Sequence, residues 1–424
     1  MQAKYRKIRL GIIAPYWLPR HGGSEQYEHQ LAKELSQQNF DVFVFCGTAR
    51  KEGFDNGSLE ATRFTPNGNF EHASYRTISR NNNPSTLKKL LNHYSFFENA
   101  VRWAYELNLD AVIVGSPLSR TEYIQARELY LQLKAMKIKV GTVHHDLTYA
   151  VIIRYLLNAY TKSRATWNTV AKELQNELVL MFQNNDELAA LLNIGSPLFF
   201  RPDFVISCSE WSNSFIDPLN TVPRFVLHPL LDEKHWTTQP ADTQTLKRCN
   251  VLMINPQGRK NPAAMAALIN DPKHNLTFRV LKGGWGDAFT KFKPVIEQSS
   301  TMLENRVDLI EYVKDIRLAY QSTDVMFFPS FIEGYGMAAV EPMYGGTPVI
   351  SSSYPAILEA VGNGAKLLCP YRSSKKDWVN AVQEVIRDKA RWSNKSAKRT
   401  EFLKKRQKQE LKGLFQFLEQ QCTR

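Results

Sequence analysis

The sequence predicts two α/β domains, each built on a parallel β-sheet, and three observations support this. The chain has 424 residues, whereas one hydrophobic core rarely grows past about 250–300 residues. Short apolar runs alternate with helical patterns in both halves, as in repeated strand–helix–strand units. A polar segment with two prolines, residues 228–248, interrupts the alternation. We therefore predict domains over 1–228 and 249–390, a linker over 229–248, and a basic helical tail over 391–424.

In the first domain, apolar runs as short as a strand are typical of strands buried on both faces. The predicted strands are Ile8–Ala14, Val42–Cys46, Ala111–Val114, Val140–Val143 and Phe204–Cys208. A helix is expected from Ser24, its N-cap, to about Gln38. Residues 85–107 carry apolar side chains at helical spacing. A longer helical region over 149–193 is an insertion that we expect to shape an acceptor site.

The second domain repeats the pattern with its own strands and helices. The predicted strands are Val251–Asn255, Phe278–Lys282, Val307–Ile310, Val325–Phe328, Val349–Ser351 and Lys366–Leu368. The predicted helices are Pro262–Ile269, Ile316–Gln321, Met337–Tyr344 and Asp377–Asp388. The series begins with a strand directly after the linker, so we expect an independent parallel sheet.

Charge and cysteine content limit the partners and the compartment. The net charge of +13 favours an anionic partner, such as a nucleotide sugar, an anionic lipid or a nucleic acid. No pattern of a nucleic-acid-reading motif accompanies the basic residues, so we expect no nucleic-acid partner. The five cysteines are dispersed without metal-ligand or redox spacing, which is typical of a reducing cytoplasm.

The chain shows no membrane-spanning pattern. Its basic N-terminus precedes only a strand-length apolar run, so we expect no signal peptide. No window reaches the roughly 18–20 apolar residues of a spanning helix. Residues 387–424 carry twelve Lys and Arg against four acids, with apolar residues interleaved. A helix packed on the domains is the first interpretation, and an interfacial helix on an anionic membrane is the alternative.

One strand–loop–helix segment carries the strongest functional signal. Ligands bind beyond the carboxyl ends of parallel strands, and here the strand ending at Phe328 is followed by Glu333 and then Gly334-Tyr335-Gly336. Glycines let a ligand approach the backbone, and the N-terminus of the next helix suits an anion such as a diphosphate. Glu341 follows Glu333 by eight residues, and its carboxylate suits ribose or sugar hydroxyls.

The stretch from Pro329 to Gly362 resembles the donor site of retaining GT-B glycosyltransferases of glycosyltransferase family 4. That resemblance implies two Rossmann-like domains facing an interdomain cleft. It implies that Glu333 lies at the transferred sugar and that Glu341 binds the nucleotide ribose. Backbone amides near Gly336 and Met337, in the loop with Gly334 and Tyr335, would hold the diphosphate. Pro342 after the second Glu is a mild departure from the family pattern.

Three other segments are similar to elements of the same family. The loop HGGSE, with Gly22 and Gly23, resembles its N-terminal glycine-rich loop. In TVHHDL, His145 matches the catalytic His best, with His144 as the second choice. NPQGRKN resembles the basic phosphate clamp and supplies Arg259 and Lys260. Many members carry a further Arg about six residues before the Lys, a position that falls near Ile254 here.

The resemblance implies a retaining glycosyltransferase that moves a sugar from a nucleotide-diphosphate donor to a saccharide or lipid-linked acceptor, in cell-surface polysaccharide or glycan assembly. We expect no cofactor and metal-independent transfer, because protein cations replace a metal at the diphosphate. We expect a cytoplasmic enzyme, with peripheral binding to the inner face of the plasma membrane as an option. The alternatives are a sugar phosphorylase or sugar-nucleotide epimerase on the same scaffold, and a non-catalytic basic membrane-binding protein.

Each candidate also has a plain structural interpretation. Glu333 and Glu341 are ordinary surface acids under that view, and the basic pair at 259–260 is solvated. A histidine at a strand end is often a satisfied core residue, and Gly22 and Gly23 permit a tight turn without any ligand. Cations at a helix start oppose the helix dipole, which favours an anion beside Lys260.

Overall fold

A computed structural model provides the fold. The residues that it describes are 6–14, 23–46, 59–64, 70–75, 86–115, 120–145, 202–216, 222–237, 249–256, 260–270, 276–283, 307–311, 313 and 315–422. Within these, side chains are not described for 59–95, 120–127 and 249–250. The helical insertion predicted over 149–193 lies outside the described residues.

The chain separates into two compact units. The N unit draws on residues 1–151, 186–230 and 407–424, and the C unit draws on 152–185 and 231–406. The N unit contains β1 (Ile8–Ala14), α1 (Gly23–Ser36), β2 (Phe40–Cys46), β3 (Leu59–Phe64), β4 (Phe70–Tyr75), α2 (Thr86–Glu106), β5 (Ala111–Gly115), α3 (Arg120–Ala135), β6 (Lys139–His144), β7 (Phe204–Ser207), α4 (Glu210–Ile216) and β8 (Arg224–Val226).

The strands of the N unit form a sheet in the order β4-β3-β2-β1-β5-β6-β7-β8. From β2 to β8 the neighbours are parallel, as predicted. The hairpin β3–β4, which was not predicted, pairs antiparallel with β2, so it extends the predicted parallel sheet by a two-stranded antiparallel edge. The sequence of this edge hairpin mixes polar and apolar residues, and a search for continuous apolar runs misses such strands. Helix α3 was also missed.

The C unit has a six-stranded parallel sheet in the order β11-β10-β9-β12-β13-β14. Its elements are α5 (Glu233–Thr237), β9 (Cys249–Ile254), α6 (Pro262–Ile269), β10 (Phe278–Leu281), β11 (Val307–Ile310), α7 (Ile316–Gln321), β12 (Thr323–Phe328), α8 (Met337–Tyr344), β13 (Val349–Ser352), α9 (Pro355–Val361), β14 (Lys366–Leu368) and α10 (Lys375–Arg387). The predicted strands and helices are confirmed in their order, whereas two helices were missed: α5, within the predicted linker, and α9, between β13 and β14.

Two helix starts differ from their predicted positions. Helix α1 begins at Gly23, so Ser24 lies in its first turn and is not the N-cap. Helix α10 begins at Lys375 and not at Asp377, because Ser374 caps it. The Ser374 hydroxyl accepts from the amide of Asp377, whose carboxylate in turn accepts from the amide of Ser374. This reciprocal capping box satisfies two donors that a helix start otherwise leaves free.

Each sheet has a continuous apolar core on its faces. In the N unit, Trp103 of α2 is fully buried and lies 5.2 Å from Phe45 of β2, measured between ring centroids. Gly11 on β1 accommodates this packing, because a Cβ there would lie 2.6 Å from Leu109. In the C unit, Trp378 of α10 packs edge-on against Phe327 of β12. Rigid cores of this kind fix the strand ends from which the functional loops leave.

The last helix, α11 (Lys389–Cys422), contributes residues to both units. Within the C unit, the Arg399 Nε donates to the carbonyl oxygen of Ala360 at 3.0 Å. Within the N unit, Leu414 and Leu418 are fully buried and Phe417 lies 5.6 Å from Phe225. The apolar residues in the last turns of the basic tail are therefore packed against protein.

Candidate active site

The C unit has a topological switch point between β9 and β12. From β9 the chain moves outward through β10 and β11 on one side, and through β12, β13 and β14 on the other. Loops leaving neighbouring strands in opposite directions open a crevice at their carboxyl ends, where α/β proteins bind ligands. Lys260 follows β9 and Glu333 follows β12. The fold therefore brings these two predicted residues, 73 positions apart, to one crevice.

Lys260 and Glu333 form a direct ion pair in this crevice. The Lys260 Nζ donates to the Oε1 of Glu333 and also lies 5.1 Å from the centroid of the Phe328 ring. Glu333 is only 8% exposed, and a charge buried to that degree needs a partner. The pair thus holds one cation and one carboxylate at the point where the sequence predicts a diphosphate and a sugar.

Helix α8 begins at Met337, as predicted, and Gly336 makes that start possible. Gly336 is the N-cap residue with φ of 103°, a conformation that costs a residue with a Cβ about 1–2 kcal/mol. No side chain caps the helix, so its first amides face outward with the positive end of the dipole. The Gly336 oxygen accepts from the amide of Ala339 at 2.9 Å. The start of α8 therefore offers free amide donors beside Glu333.

Tyr335 anchors this loop through its side chain. Its ring is buried, and its hydroxyl hydrogen-bonds to Arg406 of α11. Arg406 also donates to the carbonyl oxygen of Glu359 at 3.1 Å. Any contact of Tyr335 with a ligand is therefore expected from its backbone, because the side chain is engaged in holding the loop.

Glu341 lies on α8, five residues after Gly336, or about one and a half helical turns. The Tyr320 hydroxyl of α7 donates to its Oε2 at 2.7 Å. Burial raises the pKa of Glu341 to about 7, and the hydrogen bond from Tyr320 opposes that rise. The ring of Trp236 of α5 lies tilted beside that of Tyr320, with ring centroids 6.1 Å apart. Tyr320, which positions the second carboxylate, was missed in the sequence because no local pattern links α7 to α8.

Three further polar atoms are buried at the same edge of the sheet without a hydrogen-bond partner in the described part of the chain. They are Asn255 Oδ1 after β9, Ser330 Oγ after β12 and Ser352 Oγ at the end of β13. Buried polar atoms rarely stay unpaired in native proteins. Gly283 makes room for one of them, since a Cβ there would lie 2.4 Å from Asn255. These atoms are available to a ligand or to water.

The N unit has its own switch point, between β1 and β5, which leads outward to β2 on one side and to β6 on the other. Gly23 opens α1 after β1. A Cβ placed on Gly23 meets no atom of the described residues within 4 Å, so its surroundings leave space at the helix start. His145 follows β6. His145 thus lies at the carboxyl end of β6, and Gly23 begins the helix that comes next in the chain after β1.

His145 contacts a carboxylate that the sequence did not reveal. Its Nε2 lies 3.0 Å from Glu28 Oε1, and both side chains are buried. The ring of Tyr27 stands edge-on to His145 at 4.5 Å between centroids. Burial raises the pKa of Glu28, and its hydrogen bond with His145 opposes that effect. Glu28 lies 117 residues from His145 in the chain, so spacing gave no signal.

His144, the second choice at this position, is a buried residue of β6. Burial lowers its pKa to about 4, so its imidazole is neutral at physiological pH. Its side chain therefore does not provide a cation near neutral pH, and His145 remains the preferred candidate.

Two of the predicted donor-binding residues, Gly22 and Arg259, lie outside the described residues. Among those that are described, no group of three or more His, Cys, Asp or Glu side chains is arranged to hold a metal ion. The helices of this described part also include none long and apolar enough to cross a membrane. The structure brings Lys260 to Glu333 and His145 to Glu28, each within its own unit.

Two α/β units, each with a switch point in its sheet, define the class of protein. A solved structure of Alr3699/HepE from Anabaena in complex with UDP-glucose matches the chain with a TM-score of 0.63. At 15% sequence identity, the match covers 96% of this chain and 100% of that one. The chain has the GT-B fold.

The C-terminal part is similar to a known family. The model of the family "Glycosyl transferases group 1" matches residues 265–407. Rhodococcus opacus D-inositol 3-phosphate glycosyltransferase is 30% identical over 132 residues, 30% of this chain and 30% of that protein. Salmonella typhimurium O-antigen chain mannosyltransferase RfbU is 29% identical over 85 residues, 20% of this chain and 24% of that protein. The chain thus spans less than a third of either relative.

Proposed function

We propose that this protein is a retaining glycosyltransferase that moves a sugar from a nucleoside-diphosphate donor to a hydroxyl of a saccharide or lipid-linked acceptor. The observation that carries the proposal is the buried Lys260–Glu333 pair at the switch point of the C unit. It lies beside the uncapped start of α8. A cation and free helix amides suit a diphosphate, and a carboxylate suits the hydroxyls of the attached sugar.

Each part of the donor is assigned to particular residues in this proposal. Lys260 and the amides of Gly336 and Met337 bind the diphosphate, with Gly334 allowing close approach. Glu333 leaves Lys260 when the donor binds and accepts hydrogen bonds from sugar hydroxyls. Glu341, held by Tyr320, accepts from the ribose. Gly22, Gly23 and Arg259 complete the phosphate contacts in this proposal.

In the reaction, the bond between the anomeric carbon and the diphosphate oxygen breaks, and a bond to the acceptor oxygen forms on the same face. The acceptor proton passes to the departing diphosphate, which takes the electron pair of the broken bond. Negative charge grows on that diphosphate, so Lys260 and the α8 amides stabilise the transition state more than the ground state. We propose transfer without a metal ion, because these groups neutralise the leaving group.

The first test is a thermal-shift screen against UDP-, GDP-, dTDP- and ADP-sugars. A ligand at 100 times its Kd stabilises the folded state by about 2.7 kcal/mol, so one donor should raise Tm clearly. The same screen with Lys366→Met provides a matched control. Lys366 lies on the edge strand β14 and pairs there with Glu384 of α10. A flat response for every donor with wild type would count against the proposal.

Release of nucleotide distinguishes a transferase from other enzymes on this scaffold. A glycosyltransferase releases the nucleoside diphosphate quickly only when an acceptor is present. A sugar-nucleotide epimerase acts on the donor alone, and a sugar phosphorylase consumes inorganic phosphate. Turnover of the donor without acceptor, or turnover that requires phosphate, would replace the transferase assignment with one of these activities.

We further propose that the enzyme acts in cell-surface polysaccharide or glycan assembly, in the cytoplasm and at an anionic membrane surface. The mannosyltransferase relative named for the O-antigen chain supports the pathway. Arg391, Lys398 and Lys405 follow each other at seven-residue intervals on α11, and all three are exposed. Phe402 lies among them and is 52% exposed. Cations around an exposed aromatic ring suit an anionic bilayer.

Vesicle co-sedimentation tests this location. Vesicles that contain phosphatidylglycerol should retain the protein, whereas pure phosphatidylcholine vesicles should not. The double variant K398E/K405E should lose this binding while its turnover of a soluble acceptor is unchanged. Equal sedimentation of wild type and variant, or equal binding to both vesicle types, would rule out this face as a membrane contact.

A further inference from the structure

Glu28, the buried carboxylate that contacts His145, has no role in the proposed function so far. We propose that Glu28 is a positioning residue that accepts a hydrogen bond from the Nε2–H of His145 and so keeps Nδ1 free to accept one from a sugar hydroxyl. This inference rests on the proposed function, because it gives the predicted catalytic residue His145 a task in that same reaction. It concerns residues of the N unit only.

Four contacts hold the pair in place. His145 Nε2 lies 3.0 Å from Glu28 Oε1, and the Tyr27 ring stands edge-on to the imidazole. The Tyr27 hydroxyl donates to the oxygen of Leu227 at 2.9 Å, which fixes that ring. The thiol of Cys208 donates to the backbone oxygen of His145 at 3.2 Å. Both the side chain and the backbone of His145 are therefore restrained.

The end of β5 leaves space for the carboxylate. A Cβ at Gly115 would lie 2.3 Å from Glu28 Oε1 and 3.2 Å from the carboxyl carbon. Contacts under 3.0 Å force a shift, so any other residue at position 115 would displace Glu28. The absence of a side chain at Gly115 is thus what permits the hydrogen bond between Glu28 and His145.

The second nitrogen of the ring points to a ligand. His145 Nδ1 is buried and has no hydrogen-bond partner among the described residues. A neutral imidazole has one donor and one acceptor nitrogen, and the partner of one decides the state of the other. If Nε2–H donates to an ionised Glu28, Nδ1 is an acceptor, and sugars present hydroxyl donors. An unpaired buried acceptor is costly, so a ligand hydroxyl would stabilise it.

The alternative arrangement of protons in the Glu28–His145 hydrogen bond gives Nδ1 the opposite role. A protonated Glu28 would donate to Nε2, and Nδ1 would then carry the proton and act as a donor. Among the titratable groups that face the pair, Glu25 disfavours charge on Glu28. Tyr27, Cys208 and His144 also lie beside the pair. His144 is neutral near pH 7 because burial lowers its pKa to about 4. The two arrangements predict different protonated nitrogens, which makes the proposal testable directly.

The first experiment reads the tautomer in the folded protein. Two-bond ¹⁵N–¹H correlations of imidazole-labelled wild type at pH 7 to 8 distinguish Nε2–H from Nδ1–H, with His145→Gln identifying the signal. We expect His145 in the Nε2–H form, and we expect Glu28→Leu to show a mixture of both forms. An Nδ1–H signal for the wild type would overturn the proposal, whatever the catalytic activity of the protein.

The second experiment measures turnover and donor binding separately. Glu28→Leu should lower kcat roughly 10²-fold, as misplacing a substrate-facing group by about 1 Å can, while the Kd for the nucleoside diphosphate stays within twofold. Glu28→Gln keeps an acceptor oxygen and should recover part of the loss. Gly115→Ala displaces the same carboxylate without removing it and should lower kcat in the same direction. Glu34→Gln on the same helix is the matched control.

The outcomes separate this inference from the proposed function. If wild type transfers no sugar from any donor, the proposed function fails, and the tautomer measurement still decides the role of Glu28. If wild type is active and Glu28→Leu, correctly folded by circular dichroism, keeps kcat within twofold, the positioning role is wrong. If Glu28→Leu does not fold, Glu28→Gln and Gly115→Ala decide by the same twofold criterion.

Discussion

The switch points of the two units hold the same kind of group, a buried carboxylate, beside partners of different chemistry. In the C unit, Glu333 pairs with the side-chain nitrogen of Lys260, and free helix amides lie next to it. In the N unit, Glu28 pairs with the titratable His145 among Tyr27 and Cys208. The C-unit crevice is therefore equipped for an anion, and the N-unit crevice for neutral hydroxyl groups.

This difference corresponds to the two kinds of group that a glycosyl-transfer site must bind, a departing diphosphate and neutral hydroxyls. The departing diphosphate needs fixed positive charge, because the charge on its oxygen grows as the bond breaks. Hydroxyls of a sugar or acceptor need oriented hydrogen-bond acceptors and not fixed positive charge. Substitutions of the C-unit groups and of the N-unit pair should therefore affect different steps. The Glu28 variants above test the N unit, and four predictions test the C unit.

The largest effect is expected for Glu333→Gln. An amide in place of the carboxylate weakens the hydrogen bonds to the sugar and leaves Lys260 unpaired. We expect kcat to fall by about 10²–10³, the loss typical of removing one stabilising group at the reacting centre. Nucleotide release with and without acceptor measures it. Turnover equal to that of wild type would remove Glu333 from the site.

A smaller effect is expected on donor affinity for Lys260→Met. A hydrogen bond to a charged group contributes about 1.5–3 kcal/mol, so the Kd of the nucleoside diphosphate should rise roughly tenfold to a hundredfold. Isothermal titration calorimetry measures this change. Lys366→Met, the control on β14, should leave the Kd unchanged. If both variants bind alike, the phosphate contact is elsewhere.

Donor binding should also depend on pH through Glu341. Its pKa of about 7 lies above the ordinary 4.5, so the folded protein favours the neutral form, and ionisation costs stability as pH rises from about 4.5 through 7. The carboxylate accepts ribose hydroxyls best when ionised. Affinity for a nucleotide sugar should therefore rise up to about tenfold between pH 6 and 8.

The control for that pH profile is Glu341→Gln. This variant cannot ionise at position 341, so its affinity should be flat over the same range, and a nucleotide sugar keeps a constant diphosphate charge there. An identical pH dependence in wild type and variant would assign the titration to another group.

The smallest effect is expected on stability, for alanine substitutions at Gly336 and Gly345, the two glycines that flank α8. Gly336 has φ of 103°, so Gly336→Ala should lower the free energy of unfolding by about 1–2 kcal/mol. Gly345 has φ of −85°, and a Cβ there would make only an ordinary contact at 3.5 Å. Gly345→Ala should therefore be nearly neutral in urea denaturation. Equal losses for both would show that the conformation of Gly336 is not what matters.

The comparison also shows which parts of the site a sequence can predict. Glu333, the glycines after it and the start of α8 follow each other along the chain, so strand, loop and helix signals locate them together. The neighbouring parallel strands β9 and β12 end at the same edge of the sheet, which explains why Lys260 lies beside Glu333. Regular apolar strands and a glycine-rich loop are local properties, and the predicted C-unit elements were accurate within about two residues.

Features that depend on distant pairing could not be predicted in this way. Glu28 looks like one more polar residue of an amphipathic helix until β6 brings His145 beside it. Tyr320 meets Glu341 only because α7 and α8 pack together. The edge strands β3 and β4 have polar residues among their apolar ones, so nothing local distinguishes them from a loop. In each case the information is in the tertiary contact.

The most direct test of the central claim is a crystal structure of the protein with a bound nucleotide sugar. We predict that the diphosphate lies within hydrogen-bond distance of Lys260 Nζ and the first amides of α8. We also predict that the Glu333 carboxylate has left Lys260 and accepts from hydroxyls of the sugar. An intact Lys260–Glu333 pair with the diphosphate bound elsewhere would contradict the account.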